Sequence, residues 1–266
     1  MDYFRRFDLW GSFNPEYGDL TTLKLRAAAL KRHTFDYIWL YRRLDDYLSK
    51  RTLYAIIANW TYFEFEQLRV VKSIFMDYWE PDLFLNNKDD VLVDCGAFTG
   101  DSIYNYVNMY GIGYKKIYAY EISPNTCIKL QENIDKAKLP NVVVKQKGVG
   151  KEPGEFYIND NTDTSANKIG NNGEVKVEVV RIDDDIEDKI TFIKMDIEGA
   201  EYDALKGAEK TIRNNHPKLA ICVYHGYEDI YRIPFMINEM NPNYKFYLRH
   251  NGGDLIPTEF VLLCKG

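Results

Sequence analysis

Three features that would assign the chain to a special class are missing from its sequence. Its four cysteines, Cys95, Cys127, Cys222 and Cys264, form no C-x-x-C pair, so we expect small buried side chains in a reducing compartment. The chain has no run of about 18 apolar residues, and no apolar signal-peptide core follows its first residues. These absences predict a cytoplasmic protein without a transmembrane segment.

An excess of positive charge is also missing. The 266 residues carry a formal net charge of -6, and Lys and Arg are scattered among acids. A nucleic-acid-binding surface needs clustered positive side chains that neutralise phosphates. We therefore expect no nucleic acid among the partners of this protein.

The composition is that of a folded protein, with 45% hydrophobic and 28% charged residues. Over residues 20–75, apolar side chains recur at helical spacing without any proline or glycine, which predicts two or three helices. Ser49 is placed to cap one of them, after a break near Leu48. We predict a helical region over residues 1–85 that serves as a substrate cap or as the contact surface of a homo-oligomer.

After residue 90, short β-rich runs alternate with helical stretches, which predicts βαβ units and a parallel sheet over residues 86–266. A polar segment at 159–173 is long enough to cover a substrate, or is a plain connection. Asn251-Gly252-Gly253 between two apolar runs is typical of an antiparallel hairpin. The predicted strands are 91–95, 116–120, 142–145, 155–158, 175–182, 191–195, 218–224, 245–249 and 259–264, and the predicted helices are 102–110, 123–138 and 201–214.

The first strand runs into a turn of small residues, V-L-V-D-C-G-A-F-T-G-D-S over residues 91–102. Glycines let the backbone approach a ligand there, and the next helix offers free N–H donors. The turn departs from the dinucleotide pattern G-x-G-x-x-G, because Phe98 stands where the middle glycine would be. Asp94 at the strand end suits a cationic ligand, directly or through water; alternatively, it only orders its turn.

The second strand ends on Glu121, about 20 to 25 residues beyond the turn, where doubly wound nucleotide folds place the acid that binds a ribose. The alternative is that Glu121 caps the helix that begins near Ser123. The turn and Glu121 together favour a nucleoside-type ligand.

A third motif, F-I-K-M-D-I-E-G-A-E over residues 192–201, carries a family resemblance. With D-C-G-A-F-T-G-D and Y-A-Y-E, in this order and spacing, it resembles the FkbM family of methyltransferases over about residues 85–264. The resemblance implies a Rossmann-like class I methyltransferase fold, with a mostly parallel seven-stranded sheet whose last strand is antiparallel. It implies S-adenosyl-L-methionine as the cofactor. The N-terminal helices look like the extension of bacterial members that modify glycans.

Carried over by motif, the glycine turn would line the methionine and ribose end of the cofactor, Glu121 would hold the ribose hydroxyls and Ile122 would flank the adenine. Where many class I enzymes have an acid for the adenine amino group, this chain has Lys147-Gly148-Val149. The predicted cofactor-binding set is Asp94, Gly96, Ala97, Phe98, Thr99, Gly100, Asp101, Ser102, Glu121, Ile122 and Asp196.

The predicted catalytic residues are Asp196, Glu198 and His225, which follow two successive strands. Open α/β sheets bind ligands at the carboxyl ends of their strands. Transfer to a hydroxyl requires removal of one proton, and His225 is favoured over Asp196 by its ordinary pKa. The alternatives are that His225 only closes its strand and that Asp196 caps the next helix, while Lys194 pairs with a neighbouring acid.

Two further acid groups have simpler interpretations. Asp196, Glu198, Glu201 and His225 together offer good ligands for a divalent ion, but sequence spacing does not decide whether they converge, and we assign no metal. The triplet at 183–185 is interpreted as a solvated charge run.

The function predicted is O-methylation of a sugar hydroxyl in a bacterial glycan or its precursor, as in polysaccharide biosynthesis. One alternative is an NAD-dependent oxidoreductase, which would share Glu121 and the turn but leave Phe98 and residues 192–201 unexplained. Another is a non-catalytic assembly module, which would not need Asp94 and Glu121 together with the glycines of the turn.

Overall fold

The N-terminal part of the chain is helical, as predicted, but its described residues form four helices rather than two or three. In the computed structural model, the described residues are 21–62, 64–85, 87–159, 173–253 and 258–266. The helices of this part are α1 (Thr21–Arg32), α2 (Thr34–Arg43), α3 (Tyr47–Tyr62) and α4 (Glu66–Val70). No helix of the described ranges is long and apolar enough to cross a membrane.

The predicted cap of α3 is wrong by three residues. The carboxylate of Asp46 accepts the backbone N–H of Ser49 at 2.7 Å, so Asp46 occupies the capping position. Ser49 lies inside the helix, where its hydroxyl oxygen accepts the backbone N–H of Leu248 at 2.9 Å. Aspartate and serine are both good helix caps. Ser49 is instead used in a contact with Leu248, about 200 positions away, and this leaves the capping position to Asp46.

Strands and helices alternate after residue 90, as predicted. The strands are β1 (Val91–Cys95), β2 (Lys116–Tyr120), β3 (Val142–Lys145), β4 (Gly148–Val149), β5 (Gly154–Ile158), β6 (Val175–Val180), β7 (Phe192–Met195), β8 (Lys218–Cys222), β9 (Lys245–His250) and β10 (Phe260–Lys265). The helices are α5 (Asp101–Tyr110), α6 (Pro124–Ala137), α7 (Ile182–Asp185), α8 (Glu201–Lys206), α9 (Glu209–Asn215) and α10 (Asp229–Met240). Most of the polar segment at 159–173 lies outside the described residues.

Seven strands of the described chain form one sheet in the order β3-β2-β1-β7-β8-β10-β9. The pairs from β3 to β8 are parallel, and β10 is antiparallel to both β8 and β9. The predicted fold and its closing hairpin are therefore confirmed. A small sheet, β4-β6-β5, lies beside it. The strand order reverses between β1 and β7, and this reversal opens a crevice at the carboxyl ends of the strands.

Two helical features differ from the prediction. The helix expected at 201–214 is divided into α8 and α9 near Gly207, whose carbonyl accepts the backbone N–H of Asp183 at 3.0 Å. Glycine is needed there because a Cβ would lie 2.0 Å from the carbonyl oxygen of Gly150. α10 was not predicted. It contains Pro234, a residue that usually ends a helix.

The N-terminal helices pack against the edge of the sheet formed by β9. Leu44 forms a parallel backbone bridge with Phe246. Arg249 of β9 is buried, and its Nη2 lies 2.7 Å from Oδ2 of Asp46. The helices therefore complete the core on this side of the sheet, and the domain boundary near residue 85 stays a prediction.

The acid triplet at 183–185 is not a solvated run. Asp183 is buried, and its carboxylate accepts the backbone N–H groups of Lys210 and Thr211 at 2.9 and 2.8 Å. Asp185 lies 2.5 Å from the ammonium of Lys145, and 2.6 Å from the hydroxyl of Tyr120, which donates to it. The triplet therefore joins α7 to α9 and to the sheet.

Replacement of Asp185 by Asn should lower the free energy of unfolding by about 1–3 kcal/mol, because Lys145 and Lys147 would lose their charged partner. Burial raises the pKa of the Asp185 carboxyl, but bonds from Lys145, Tyr120 and Lys147 outweigh it and hold the pKa below its usual value. The difference between wild type and Asp185→Asn should thus be full above pH ~4 and shrink as the pH falls below it. Thermal melting measures it, and the more exposed Asp184→Asn is the matched control.

Candidate active site

A cleft of about 550 Å³ opens at the carboxyl ends of β1, β2 and β7, where the strand order reverses. Its volume lies in the range of small-molecule sites, roughly 300–1,000 Å³. The lining residues are Gly96, Tyr120, Glu121, Ile122, Lys147, Gly148, Val149, Gly150, Lys151, Glu152, Phe156, Val179, Asp196, Ile197, Glu198, Gly199, Ala200 and Asp203. We refer to it as the cofactor cleft.

The turn after β1 needs glycine because it crosses the loop after β7. Gly96 has a φ of +77°, and a Cβ on it would lie 1.9 Å from the backbone oxygen of Asp196. No other residue type fits this contact without a shift of the backbone. The motifs around Gly96 and Asp196 are therefore in direct contact, although 100 positions separate them in the sequence.

Asp94 is a buried partner of Lys194 and does not line the cofactor cleft. Its Oδ1 lies 2.9 Å from Nζ of Lys194, and Ser102 donates its hydroxyl to Oδ2. Burial lowers the pKa of Lys194, but Asp94 and Asp196 outweigh it, so the pKa is raised and the amine stays charged. The predicted direct contact of Asp94 with a cationic ligand is therefore wrong. The partner of Lys194 is Asp94 on β1, and not one of the acids that follow Lys194 in its own motif, as predicted. This ion pair lies beneath the turn and fixes it, because Lys194 also donates to the carbonyl of Gly96 at 2.8 Å.

Glu121 both orders the turn and faces the cleft. The side chain is 8% exposed. Its Oε2 accepts the N–H of Phe98 at 3.0 Å, and its Oε1 accepts that of Ser123 at 2.9 Å. Helix α6 itself is capped by Ser123, whose hydroxyl accepts the N–H of Thr126. Burial raises the pKa of the Glu121 carboxyl. A carboxylate has about four lone-pair sites, so Glu121 keeps acceptor capacity for a donor in the cleft.

The predicted cofactor set divides into two groups. Gly96, Glu121, Ile122 and Asp196 line the cleft. The other members, which are Asp94, Ala97, Phe98, Thr99, Gly100, Asp101 and Ser102, form the turn and the start of α5 and lie outside the lining.

The outer wall of the cleft was not predicted from the sequence. Phe156 of β5 and Val179 of β6 line it together with Gly150. Their position depends on the antiparallel pairing of β5 with β6 across residues 159–173, and no local pattern signals it. Lys147-Gly148-Val149, the segment found in place of an adenine-binding acid, also lines the cleft.

The acids after β7 gather around His225. The ring atom Nδ1 lies 3.0 Å from Oε1 of Glu201. The other ring nitrogen, Nε2, lies 3.5 Å from Oδ1 of Asp196 and 3.8 Å from Oε2 of Glu198. The three predicted catalytic residues therefore lie together, and buried Glu201 joins them.

Asp196 does not cap a helix. The next helix, α8, begins only at Glu201, and Ala200 precedes it without a side-chain cap. The carboxylate of Asp196 instead accepts the hydroxyls of Tyr78 at 2.6 Å and of Tyr224 at 3.3 Å. These two tyrosines hold Asp196 at the boundary between the cofactor cleft and His225.

His225 has the environment of a base supported by acids. Burial lowers its pKa, but the carboxylate of Glu201, 3.0 Å from Nδ1, and the charges of Asp196 and Glu198 outweigh this effect and raise the pKa above 6.5. Glu201 also accepts the backbone N–H of Ile197 at 2.8 Å, which fixes its own position. A neutral His225 that keeps its Nδ1 proton toward Glu201 presents Nε2 as the proton acceptor.

The same side chains were weighed as metal ligands. Atoms of Asp196, Glu201 and His225 lie within 4.8 Å of one another. However, the imidazole ring occupies the space between the two carboxylates, with one nitrogen toward each. We therefore assign no metal to this cluster.

Comparison with known proteins agrees with this geometry. The model of the methyltransferase FkbM domain matches residues 94–252, more than half of the chain. The crystal structure of methyltransferase FkbM from Methylobacillus flagellatus KT is 28% identical, has a TM-score of 0.76, and matches 90% of this chain. The match covers 60% of that relative's length. No curated protein sequence matches the chain.

Other solved structures are more distant. An rRNA methylase from Streptococcus thermophilus is 14% identical with a TM-score of 0.44, over 67% of this chain and 86% of that one. TrmK of M. capricolum, in complex with S-adenosyl-homocysteine, is 13% identical with a TM-score of 0.38, over 68% and 62%. The family model and the Methylobacillus structure place the three motifs and the fold in one family. The chain belongs to the FkbM family of methyltransferases.

Proposed function

We propose that this methyltransferase uses S-adenosylmethionine to methylate a hydroxyl of a sugar, in a bacterial glycan or its precursor. The observation that carries the proposal is the junction at Asp196. This residue lines the cofactor cleft and lies 3.5 Å from the imidazole of His225. A site for an activated methyl group and a candidate base therefore meet at one side chain.

The residues of the cofactor cleft fit S-adenosylmethionine. Glu121 offers lone pairs to the two ribose hydroxyls. Ile122, Val149 and Val179 supply apolar surface for the adenine. The carboxylates of Asp196 and Glu198 suit a ligand that bears a sulfonium and an ammonium group. When bound, S-adenosylmethionine supplies a methyl group that its sulfonium already activates.

The protein side of the reaction is alignment and removal of one proton. His225 accepts the proton of the acceptor hydroxyl on Nε2, and Glu201 stabilises the imidazolium that results. Asp196 is held by Tyr78 and Tyr224, so it keeps its position while His225 changes charge. The same geometry disfavours a non-catalytic module, which has no use for a supported base beside a ligand cleft.

Transfer of a deuterated methyl group tests this function. The full chain is incubated with S-adenosylmethionine labelled on its methyl group and with sugar nucleotides and oligosaccharides as acceptors. Mass spectrometry should find the labelled methyl on a sugar oxygen, and only with the active protein. Label found solely on a nitrogen, carbon or sulfur acceptor would contradict O-methylation. The cytoplasmic location and a homo-oligomer formed through the N-terminal helices stay predictions.

A further inference from the structure

A segment of the N-terminal part lies along the carboxyl edge of the sheet, beside the candidate active site. Strand β9 is parallel to β8, because β10 is antiparallel to both, so β9 ends at this edge with His250. Ser73 donates its backbone N–H to the carbonyl of His250 at 2.8 Å. Trp79 donates its indole N–H to the carbonyl of Ser102, at the start of α5, at 3.0 Å. Residues 72–79 therefore link the end of β9 to the start of α5, and we refer to them as the edge segment.

Tyr78 is the point at which the edge segment meets the active site. Its hydroxyl donates to the carboxylate of Asp196 at 2.6 Å. Its φ is +69°, in the left-handed region that a bulky residue rarely adopts, and backbone strain of this kind clusters at functional sites. The edge segment is therefore held in place by the same side chain that holds Asp196.

Two large apolar side chains of the edge segment are exposed to solvent. Ile74 is 91% exposed and Met76 is 53% exposed, and no large apolar side chain of the described ranges is more exposed than Ile74. The segment is attached on both sides of these residues, at His250 and at Asp196, so the free protein keeps them in water. Exposed apolar surface is unfavourable, and a bound apolar group would cover it.

Ile74 and Met76 are close to the place of the reaction. Two residues of extended chain span at most about 7 Å, and four span at most about 14 Å. The Cα atoms of Met76 and Ile74 therefore lie within these distances of the Cα atom of Tyr78, whose hydroxyl contacts Asp196. Asp196 lines the cofactor cleft and lies beside His225. A substituent of an acceptor whose hydroxyl lies at Asp196 thus reaches both side chains.

The chemistry of the two side chains favours an alkyl chain as their partner. Neither side chain donates a hydrogen bond to a further sugar or to a charged group. Methionine is flexible, so it adapts its shape to an apolar ligand. A stable contact with a second protein or a second copy buries roughly 800 Å² on each partner, which is far more than two side chains supply.

We propose that the acceptor carries an alkyl or lipid chain, which lies on Ile74 and Met76 while its sugar hydroxyl lies at Asp196 against the methyl group. This inference rests on the proposed function, since it assigns the class of acceptor for the same reaction. The hydroxyl stays beside the cofactor and His225, and only the alkyl chain extends along the edge segment. Burial of this chain supplies binding free energy that the sugar alone lacks.

Binding of two simple glucosides to the full chain tests the proposal. Octyl β-glucoside, kept below its micelle concentration, is compared with methyl β-glucoside in the presence of S-adenosylhomocysteine. The affinities are measured by ligand-observed NMR. The octyl compound should bind at least about tenfold more tightly, because each buried CH₂ group contributes to the affinity. Equal affinities of the two glucosides would overturn the proposal.

Variants assign the effect to the edge segment. Ile74→Ser combined with Met76→Ser should weaken binding of octyl β-glucoside about tenfold or more and leave that of methyl β-glucoside unchanged. The matched control combines Ile112→Ser with Ile128→Ser, which removes two other exposed apolar side chains outside the edge segment and the cofactor cleft. It should change neither affinity. If the first double variant binds octyl β-glucoside as the wild type does, the chain lies elsewhere and the proposal fails.

Two further readouts separate this proposal from its alternatives. A wild-type oligomer that the Ile74 and Met76 double variant converts to a monomer in sedimentation would place these side chains between copies of the chain. Binding to phosphatidylglycerol vesicles that this variant loses, while it keeps its affinity for octyl β-glucoside, would place them on a membrane surface. Either result would overturn the proposal. S-adenosylhomocysteine should bind equally to all variants, and its failure to bind the wild type would refute the proposed function, whatever the glucosides do.

Discussion

Glu121→Gln should weaken the binding of S-adenosylhomocysteine by about 10- to 100-fold or more. Both carboxylate oxygens of Glu121 already accept backbone N–H groups, from Phe98 and Ser123. A glutamine has one acceptor oxygen, so its NH₂ group would face one of these donors and the turn would move. The ribose hydroxyls would also lose a charged acceptor, and each such bond contributes about 1.5–3 kcal/mol. Calorimetric titration measures the affinity.

The matched control for this result is Glu132→Gln. Glu132 lies on α6, exposed and outside the lining of the cofactor cleft. Its replacement removes the same charge from the chain and should leave the affinity unchanged. Equal affinity of Glu121→Gln and the wild type would show that no ribose is bound at Glu121, and the orientation proposed for the cofactor would fail.

His225→Ala should lower kcat by about 10²- to 10⁴-fold, the usual contribution of a positioned general base. The affinity for S-adenosylhomocysteine should change little, because the side chain of His225 does not line the cofactor cleft. Single-turnover rates with S-adenosylmethionine and the acceptor measure the effect. His216→Ala is the control, since His216 contacts the carbonyl of Arg213 at the end of α9 and does not line the cofactor cleft. A near-wild-type kcat in His225→Ala would transfer the role of base to Asp196.

The pH dependence of kcat provides an independent test of the same residue. Only neutral His225 accepts a proton, so kcat should rise with pH through an apparent pKa above the ordinary value of about 6.5. Glu201 stabilises the imidazolium, so Glu201→Gln should shift this rise to lower pH. Glu209→Gln, an exposed acid that pairs with Arg213, should leave the profile in place. A profile that Glu201→Gln does not move would mean that another group titrates.

Three strands of the parallel part could be predicted from the sequence to the residue. β1 and β2 begin and end where apolar runs meet polar or turn residues, because strands inside a parallel sheet are apolar along their length. β3, at the edge of the sheet, is likewise an apolar run between polar residues. The glycine turn was found for a similar reason, since a turn that crosses another chain segment leaves a local pattern of small residues. The conclusion about fold therefore depended on short-range signals.

The site residues that escaped prediction are those positioned by long-range contacts. Tyr78 and Asp196 are 118 positions apart, and no periodicity connects them. Asp94 was assigned to a ligand because its position at a strand end suits one, yet its neighbour on β7 is Lys194. Only the register of β1 against β7 shows that this lysine takes the carboxylate. The correct family resemblance left these contacts undetermined.

The hydrophobic pattern of the sequence predicted the α/β part in more detail than the N-terminal helices. For the helices, the pattern predicted their presence but not the cap at Asp46, which depends on the approach of β9. The functional assignment follows the same division. The motifs indicate methyl transfer, whereas the contacts of His225 with Asp196, Glu198 and Glu201 are visible only in the folded structure.

Calorimetric titration of the purified chain with S-adenosylmethionine, S-adenosylhomocysteine and NAD tests the central claim most directly. We predict saturable binding of both sulfur ligands, with one site per chain, and no binding of NAD. Preference for NAD, or binding of none of the three, would contradict the assignment of the cofactor cleft and with it the proposed reaction.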